Sequence, residues 1–162
     1  VFNNDCDVNF TDKKFVISGK NSKVNYTYAV PEMISVPPED GIDMNEWDCT
    51  VDVSEEEMSS LLKAMGVLQL SGLRFLSENG KLTISVADME NDTADSYVFE
   101  PEHFTVSDDF DLFIRKDNLK LMGGMDYEVS LSTQQLSKFV TKPKEDDQPK
   151  IEYLVAVETQ KE

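Results

Sequence analysis

Trp47-Asp48-Cys49-Thr50-Val51-Asp52-Val53-Ser54-Glu55-Glu56-Glu57-Met58 changes period part-way along, and the change decides the fold class. Up to Val53 the residues alternate, with Trp47, Cys49, Val51 and Val53 on one face, as in a half-buried strand. Ser54 and Glu57 then stand three apart in a capping box. The Ser oxygen takes one orphan backbone N–H and the Glu reaches back to another. Beyond it Met58, Leu61, Leu62 and Met65 fall at i, i+3, i+4 and i+7, the apolar stripe of a helix lying on a core. Gly66 is expected to end that helix.

Downstream the period returns to two. Leu73-Arg74-Phe75-Leu76-Ser77 and Leu82-Thr83-Ile84-Ser85-Val86 flank Asn79-Gly80, a pair that tolerates positive φ and closes a hairpin. Another strand is expected at Asp95-Ser96-Tyr97-Val98-Phe99. The outline then repeats. Phe110–Ile114 reads as a strand, and Asp117 or Asn118 caps a short helical stretch with Leu119 and Met122 on one face before Gly123-Gly124. Strands follow at Tyr127–Leu131, Leu136–Val140 and Ile151–Val157, with a polar turn over Lys142–Lys150. Strand, helix and three strands thus occur twice, a duplication of architecture with little self-similarity in the residues. Both helices are expected on the same side of a combined sheet.

Upstream, Asp7–Phe10, Lys14–Ser18 and Lys23–Val30 read as strands, the tail of a sheet whose beginning is missing. Val36-Pro37-Pro38-Glu39-Asp40-Gly41 cannot run inside a sheet, because proline donates no ladder hydrogen bond. A domain boundary is expected near residues 36 to 46.

Asp and Glu number 32 against 15 Lys and Arg, a net charge of −17 over 162 residues. Such a surface cannot grip phosphate by displacing counterions, so tight DNA binding over the average surface is excluded. No apolar run reaches the length of a membrane span, and the first residues lack a signal-peptide pattern. Cys6 and Cys49 stand far apart in no metal-like spacing and read as two buried thiols of a reducing cytoplasm, with one disulfide as the alternative. His103 has no ligand-spaced companion. Asp88, Glu90 and Asp92 fit the first positions of a calcium loop, but Thr93 stands where Gly is needed and Phe99 where Glu is needed. Asp108, Asp109 and Asp111 cluster without a nucleophile or base, and Gly123-Gly124 lacks the Lys and Ser/Thr of a phosphate loop. No cofactor or metal is expected, and no enzyme. The cations Lys63, Arg115, Lys116 and Lys120 gather around the two helices and make a weakly basic face on an acidic body.

Several pieces, in order, resemble the DNA sliding clamp of T-even-type bacteriophages. They are Leu61–Leu70, Asn79–Ile84, Phe113–Met122 with Gly124 and Tyr127, and above all Tyr153-Leu154-Val155-Ala156-Val157-Glu158. The resemblance spreads over most of residues 47 to 158 and continues more weakly through residues 1 to 36. It implies an α+β DNA-clamp fold, antiparallel sheets with two short helices per domain lining one face. Residues 1–36 would be the C-terminal half of a first clamp domain, 37–46 a connector and 47–162 a complete second domain. It further implies a homotrimeric ring that encircles duplex DNA and tethers the DNA polymerase. An ATP-dependent clamp loader opens and closes it, and the transcription machinery is a further partner. The setting implied is the cytoplasm of an infected bacterium.

The resemblance also distributes the site residues. Lys63, Arg115, Lys116 and Lys120 would face DNA. Val36, Pro37, Tyr153, Leu154 and Val155 would border a groove for partner peptides. The strands around Val24, Tyr26 and Tyr28 and around Ser96, Val98 and Phe99 would join subunits edge to edge. An acidic outer surface would keep DNA in the hole without gripping it. The rival readings are an acidic β-rich structural or adhesion module of a phage particle, and a hydrolase built on Asp108 and Asp111.

Overall fold

A computed structural model describes residues 6–30, 44, 46–91, 93–119, 124–143 and 150–159. Val36, Pro37, Asp92, Lys120, most of the 37–46 connector and most of the turn after Lys142 lie outside the described residues. The chain divides into two compact units, residues 1–43 and 44–162.

The first unit is a three-stranded antiparallel meander of β1 (Asp7–Phe10), β2 (Lys14–Ser18) and β3 (Lys23–Thr27). Phe10, Phe15 and Tyr26 line up across it, as do Val8, Ile17 and Val24. Because side chains alternate along a strand, these six share one face. Phe15 and Tyr26 stack with ring centroids 5.0 Å apart, and Phe10 lies 5.8 Å from Phe15. The other face is mostly polar, carrying Asp7, Asn9, Lys14, Asn25 and Thr27.

In the second unit the alternating run becomes β4 (Cys49–Val53) and the striped run becomes α1 (Glu55–Leu68). There follow β5 (Gly72–Glu78), β6 (Lys81–Ala87), β7 (Tyr97–Phe99), β8 (Phe104–Val106), β9 (Phe110–Arg115), β10 (Asp126–Ser132), β11 (Leu136–Lys142), β12 (Glu152–Ala156) and β13 (Glu158–Thr159). Asn79 and Gly80, at φ 53° and 75°, turn β5 into β6. The strands form two five-stranded antiparallel sheets rather than one combined sheet, in the orders β12-β11-β10-β4-β8 and β13-β9-β5-β6-β7.

These orders encode an exchange. The meander β5-β6-β7 takes β9 along its first strand, and the meander β10-β11-β12 takes β4 along its own. Each half of the duplication thus lends its opening strand to the other half's sheet, and β8 and β13 extend the lent strands. The core lies between the sheets and under α1. It joins Val51, Tyr127, Val129 and Phe139 from one sheet to Phe75, Ile84, Leu112 and Ile114 from the other, and takes Met58, Leu61 and Met65 from the helix. Each such helix side chain contributes about 1.5–3 kcal/mol on burial.

Two helix expectations need correction. Gly66 does not end α1, which continues to Leu68 and closes on Gln69 in the left-handed region at φ 56°. An exposed glycine costs a helix only about 1 kcal/mol, less than the buried stripe returns. The second helix is a single 3-10 turn, Lys116–Leu119, among the described residues. Lys-Asp-Asn-Leu offers one apolar residue to bury and includes two poor helix formers, enough for one tight turn. No helix among the described residues is long and apolar enough to cross a membrane.

Candidate DNA-facing helix and edge strands

α1 is held at its N-terminus from three directions. The Glu57 amide donates to the Ser54 hydroxyl, the Ser54 amide donates to the Glu57 carboxylate at 2.7 Å, and the Glu55 amide donates to Asp126 of β10 at 2.7 Å. Only the first two belong to the local Ser–Glu signal; Asp126 is 71 positions away in sequence. The outward face of α1 carries Glu56, Ser60, Lys63 and Val67, with Val67 81% exposed. Lys63 is the one cation on α1, against three glutamates in its first turn. The exposed helix surface is therefore small, weakly charged and short of cations.

Lys116 opens the 3-10 turn and is exposed; its amide donates to the Ser71 carbonyl at 2.8 Å, fixing the turn beside the exit of α1. Arg115 has a different environment. Strand alternation puts it on the side of Phe113, away from the core-facing Leu112 and Ile114. There its guanidinium donates two hydrogen bonds to Glu158 of β13, one of them 2.9 Å long. That pairing raises the Arg115 pKa above its ordinary value and lowers that of Glu158. Lys120 lies outside the described residues.

Along β12 the three groove residues part company. Tyr153 is half-buried with its ring 6.5 Å from Tyr127, and Val155 is in the core. Leu154 points from the opposite face and is 45% exposed. Val36 and Pro37 lie outside the described residues.

Among the described residues β7 pairs only with β6 and β3 only with β2, so each stands at the end of its sheet. Val98 projects from β7 at 55% exposure, while Phe99 packs against the core and Ser96 precedes the strand. On β3, Val24 and Tyr26 are exposed, and Tyr28 follows just after it.

The acidic clusters are tied into local structure. Asp111 is clasped by Arg74 at 2.8 and 2.6 Å, and Asp109 accepts the Asn79 amide of the hairpin turn at 2.9 Å. Asp88 accepts the Glu90 amide at 2.9 Å. An open cavity of ≈1040 Å³ lies over this region, with Arg74, Leu76, Ser85 and Phe113 in its lining. Cys49 is a free, buried thiol whose pKa is pushed up to about 12, first by burial and then by the Asp48 charge.

With the geometry in place, the chain was compared with known proteins. No family model matches it. The sliding clamp of Vibrio phage KVP40 is 24% identical over 158 residues, covering 94% of this chain and 68% of the phage protein. PCNA from A. fulgidus, solved with the C-terminal region of FEN-1 bound, superposes with a TM-score of 0.58 at 18% identity, over 97% of this chain and 65% of that one. The H. pylori beta clamp gives 0.58 at 15% identity, over 98% and 44%. DNA polymerase III subunit beta from Borrelia burgdorferi gives 0.55 at 14% identity, over 94% and 40%. The chain thus spans less than two thirds of these solved clamps. Their folds and the phage sequence agree on one architecture, and the chain has the α+β fold of the DNA sliding clamps.

Proposed function

We propose that the chain acts as a sliding clamp, encircling duplex DNA and tethering the replicative polymerase for processive synthesis. The observation that carries this is the exchanged-strand architecture of residues 44–162, shared with clamps, in a chain whose curated relative is a phage sliding clamp. The charge supports it. A protein with a net charge of −17 holds DNA poorly by affinity but well by topology, since a closed ring needs no counterion displacement.

In this reading residues 1–36 are the back part of a first clamp domain, 37–46 the connector and 47–162 the second domain. Lys63 on α1 and Lys116 on the 3-10 turn face the duplex, together with Lys120. Arg115, whose charge is taken up by Glu158, serves the β9–β13 junction instead. β7 of one subunit pairs with β3 of the next to close a homotrimer, edge to edge. Short peptides of the polymerase and of the transcription machinery dock beside β12 and the connector, where Leu154 offers an exposed apolar side chain. An ATP-dependent loader in the cytoplasm of the infected host opens the ring. The clamp performs no chemistry of its own.

The test joins the chain to the part of the Vibrio phage clamp that has no counterpart in it and loads the product on a nicked circular duplex with a clamp loader and ATP. Retention on the circle at high salt, and loss after the circle is cut, is the expected outcome. Loss from the circle at high salt, or retention after cutting, would sink the ring and leave an acidic structural module.

A further inference from the structure

The sheet β13-β9-β5-β6-β7 has two faces. One packs on the core through Phe75, Ile84, Leu112 and Ile114. The register fixes what the other carries. Val98, Ser85, Arg74 and Phe113 stand in one row across β7, β6, β5 and β9, and Thr83, Leu76 and Asp111 stand in the next. This outward face is the floor of the open cavity of ≈1040 Å³. The loop after β6, with Asp88 and Asp95, walls one end of it, and Glu78 and Asp109 wall the end where β5 stops and β9 begins. Val98 is 55% exposed and Leu76 is half-buried, so the floor offers apolar surface. The Phe113 ring is sealed over Gly72, although it faces away from the core. In the middle Arg74 is clasped by Asp111. Glu78, Asp88, Asp95, Asp109 and Asp111 thus line the cavity against the single guanidinium of Arg74, which Asp111 already takes up. Four carboxylates remain, two at each end of an apolar floor.

We propose that this trough is a docking site for an extended partner peptide that alternates apolar and basic side chains. Its shape selects a peptide. A small molecule needs a pocket that buries most of its surface, and an open trough does not provide one. A chain lying along the strands meets the floor with many side chains instead. From Gly72 to Glu78 the floor spans roughly 20 Å at the rise of a strand, so about six extended residues fill it. Its charge selects the side chains. Apolar groups of the peptide settle on Leu76 and Val98, while long Lys or Arg side chains lay their stems on the same surface and carry their charges to the carboxylates at the two ends. The same carboxylates turn an acidic peptide away. The trough lies on a different sheet from the surface beside β12. It needs neither a ring nor DNA, so the proposal goes beyond the clamp reading and does not rest on it.

The probe is the fluorescein-labelled hexapeptide Lys-Leu-Lys-Leu-Lys-Leu, titrated into the 162-residue chain, with Glu-Leu-Glu-Leu-Glu-Leu as its counterpart. Saturable binding of the first and none of the second is expected, with an affinity that falls as salt rises. Amide shifts of the unsubstituted chain should move in β5, β6, β9 and the loop after β6. Ser85→Lys sets an ammonium beside Arg74 in the middle of the floor and should weaken binding at least about tenfold. Leu76→Ala removes apolar floor and should weaken it at least about threefold. Glu56→Gln makes the same change in net charge as Ser85→Lys, but on the outward face of α1 across the core, and should leave the affinity within about twofold. Continued protection of Cys49 from thiol reagents checks that each variant is folded. Three outcomes overturn the proposal: no saturable binding of the basic peptide, equal binding of the acidic one, or equal weakening by Ser85→Lys and Glu56→Gln. The last would make the attraction a property of the chain's overall charge rather than of the trough. No DNA or loader is present, so failure here leaves topological retention untouched, and failure of retention leaves the trough assigned.

Discussion

At Gly72 the backbones of β5 and β9 come so close that a Cβ would sit 2.2 Å from the Ile114 carbonyl oxygen and 2.8 Å from the Phe113 ring. The oxygen belongs to a strand in the middle of a sheet and cannot swing away. Gly72→Ala should therefore destabilise the second unit by the upper part of the ~1–3 kcal/mol typical of overpacking, read from the urea midpoint. The Arg115–Glu158 pair makes a milder prediction. The guanidinium holds the Glu158 carboxylate below its unbound value of 4.5. The stabilisation is present above that pH and is lost as pH falls through the lowered value. Acid should loosen the short β13–β9 pairing, seen as lower protection of the Glu158 and Thr159 amides relative to their intrinsic exchange rates at each pH. Glu158→Gln should remove the pH dependence. Both side chains are largely exposed, so salt should weaken the effect as well.

The start of α1 shows what a local signal can specify. Ser54 and Glu57 engage each other as their spacing requires, and Ser54→Ala should cost about 1 kcal/mol, measured by thermal or urea unfolding. The end of α1 shows what such a signal misses. Gly66 reads as a stop, but Met65 and Leu68 still had apolar surface to bury, and Gln69 takes the left-handed cap that glycine would have taken. β8 escaped the sequence reading because three residues between acidic neighbours carry too little periodicity. Its place is set by pairing with β4, more than fifty positions earlier. The site divides on the same line. Lys63 is legible as the polar side of a striped helix. The capture of Arg115 by Glu158, 43 positions away, is invisible to any window, whereas the strand reading of Ile151–Val157 already turns Leu154 away from Tyr153 and Val155. β7 remains the most testable element. Val98→Lys places a charge on an exposed, unpaired edge without touching the core, so it should leave the melting temperature nearly unchanged. If β7 closes the proposed ring, the same substitution should shift ring-forming subunits toward monomer by sedimentation.

Over the whole chain, the two cysteines report on two kinds of unit. Cys49 lies in the packed core with its thiol held protonated, while Cys6 sits half-exposed in a meander with no buried residue among those described. A thiol reagent at pH 8 should label Cys6 quickly and Cys49 only when the second unit opens, because thiolate is the reacting species. In a urea series the two labelling transitions should separate, Cys6 saturating before unfolding and Cys49 tracking the loss of Trp47 fluorescence structure. Burial of the Cys49 thiol adds a basic-side effect. Its contribution to stability is full below the unfolded value of 9.0 and is lost as pH rises toward about 12. Coincident labelling of both cysteines in native buffer would show that Cys49 is not sealed as the packing implies.

The lending of β4 to β10 and of β9 to β5 has a consequence for the moment of synthesis. β4 leaves the ribosome long before its sheet partner β10 exists, because residues 53 and 127 are paired across the intervening chain. At ordinary elongation rates of ~5–20 residues per second, that gap lasts about 4 to 15 s. During it Cys49, Val51 and Val53 have an open edge and no ladder to join. The first half of the duplication cannot mature on its own while the nascent chain grows. Folding of residues 44–162 must wait until β10 and the strands after it have been made, and a pause or truncation before β10 should deliver an aggregation-prone strand rather than a half-sized domain.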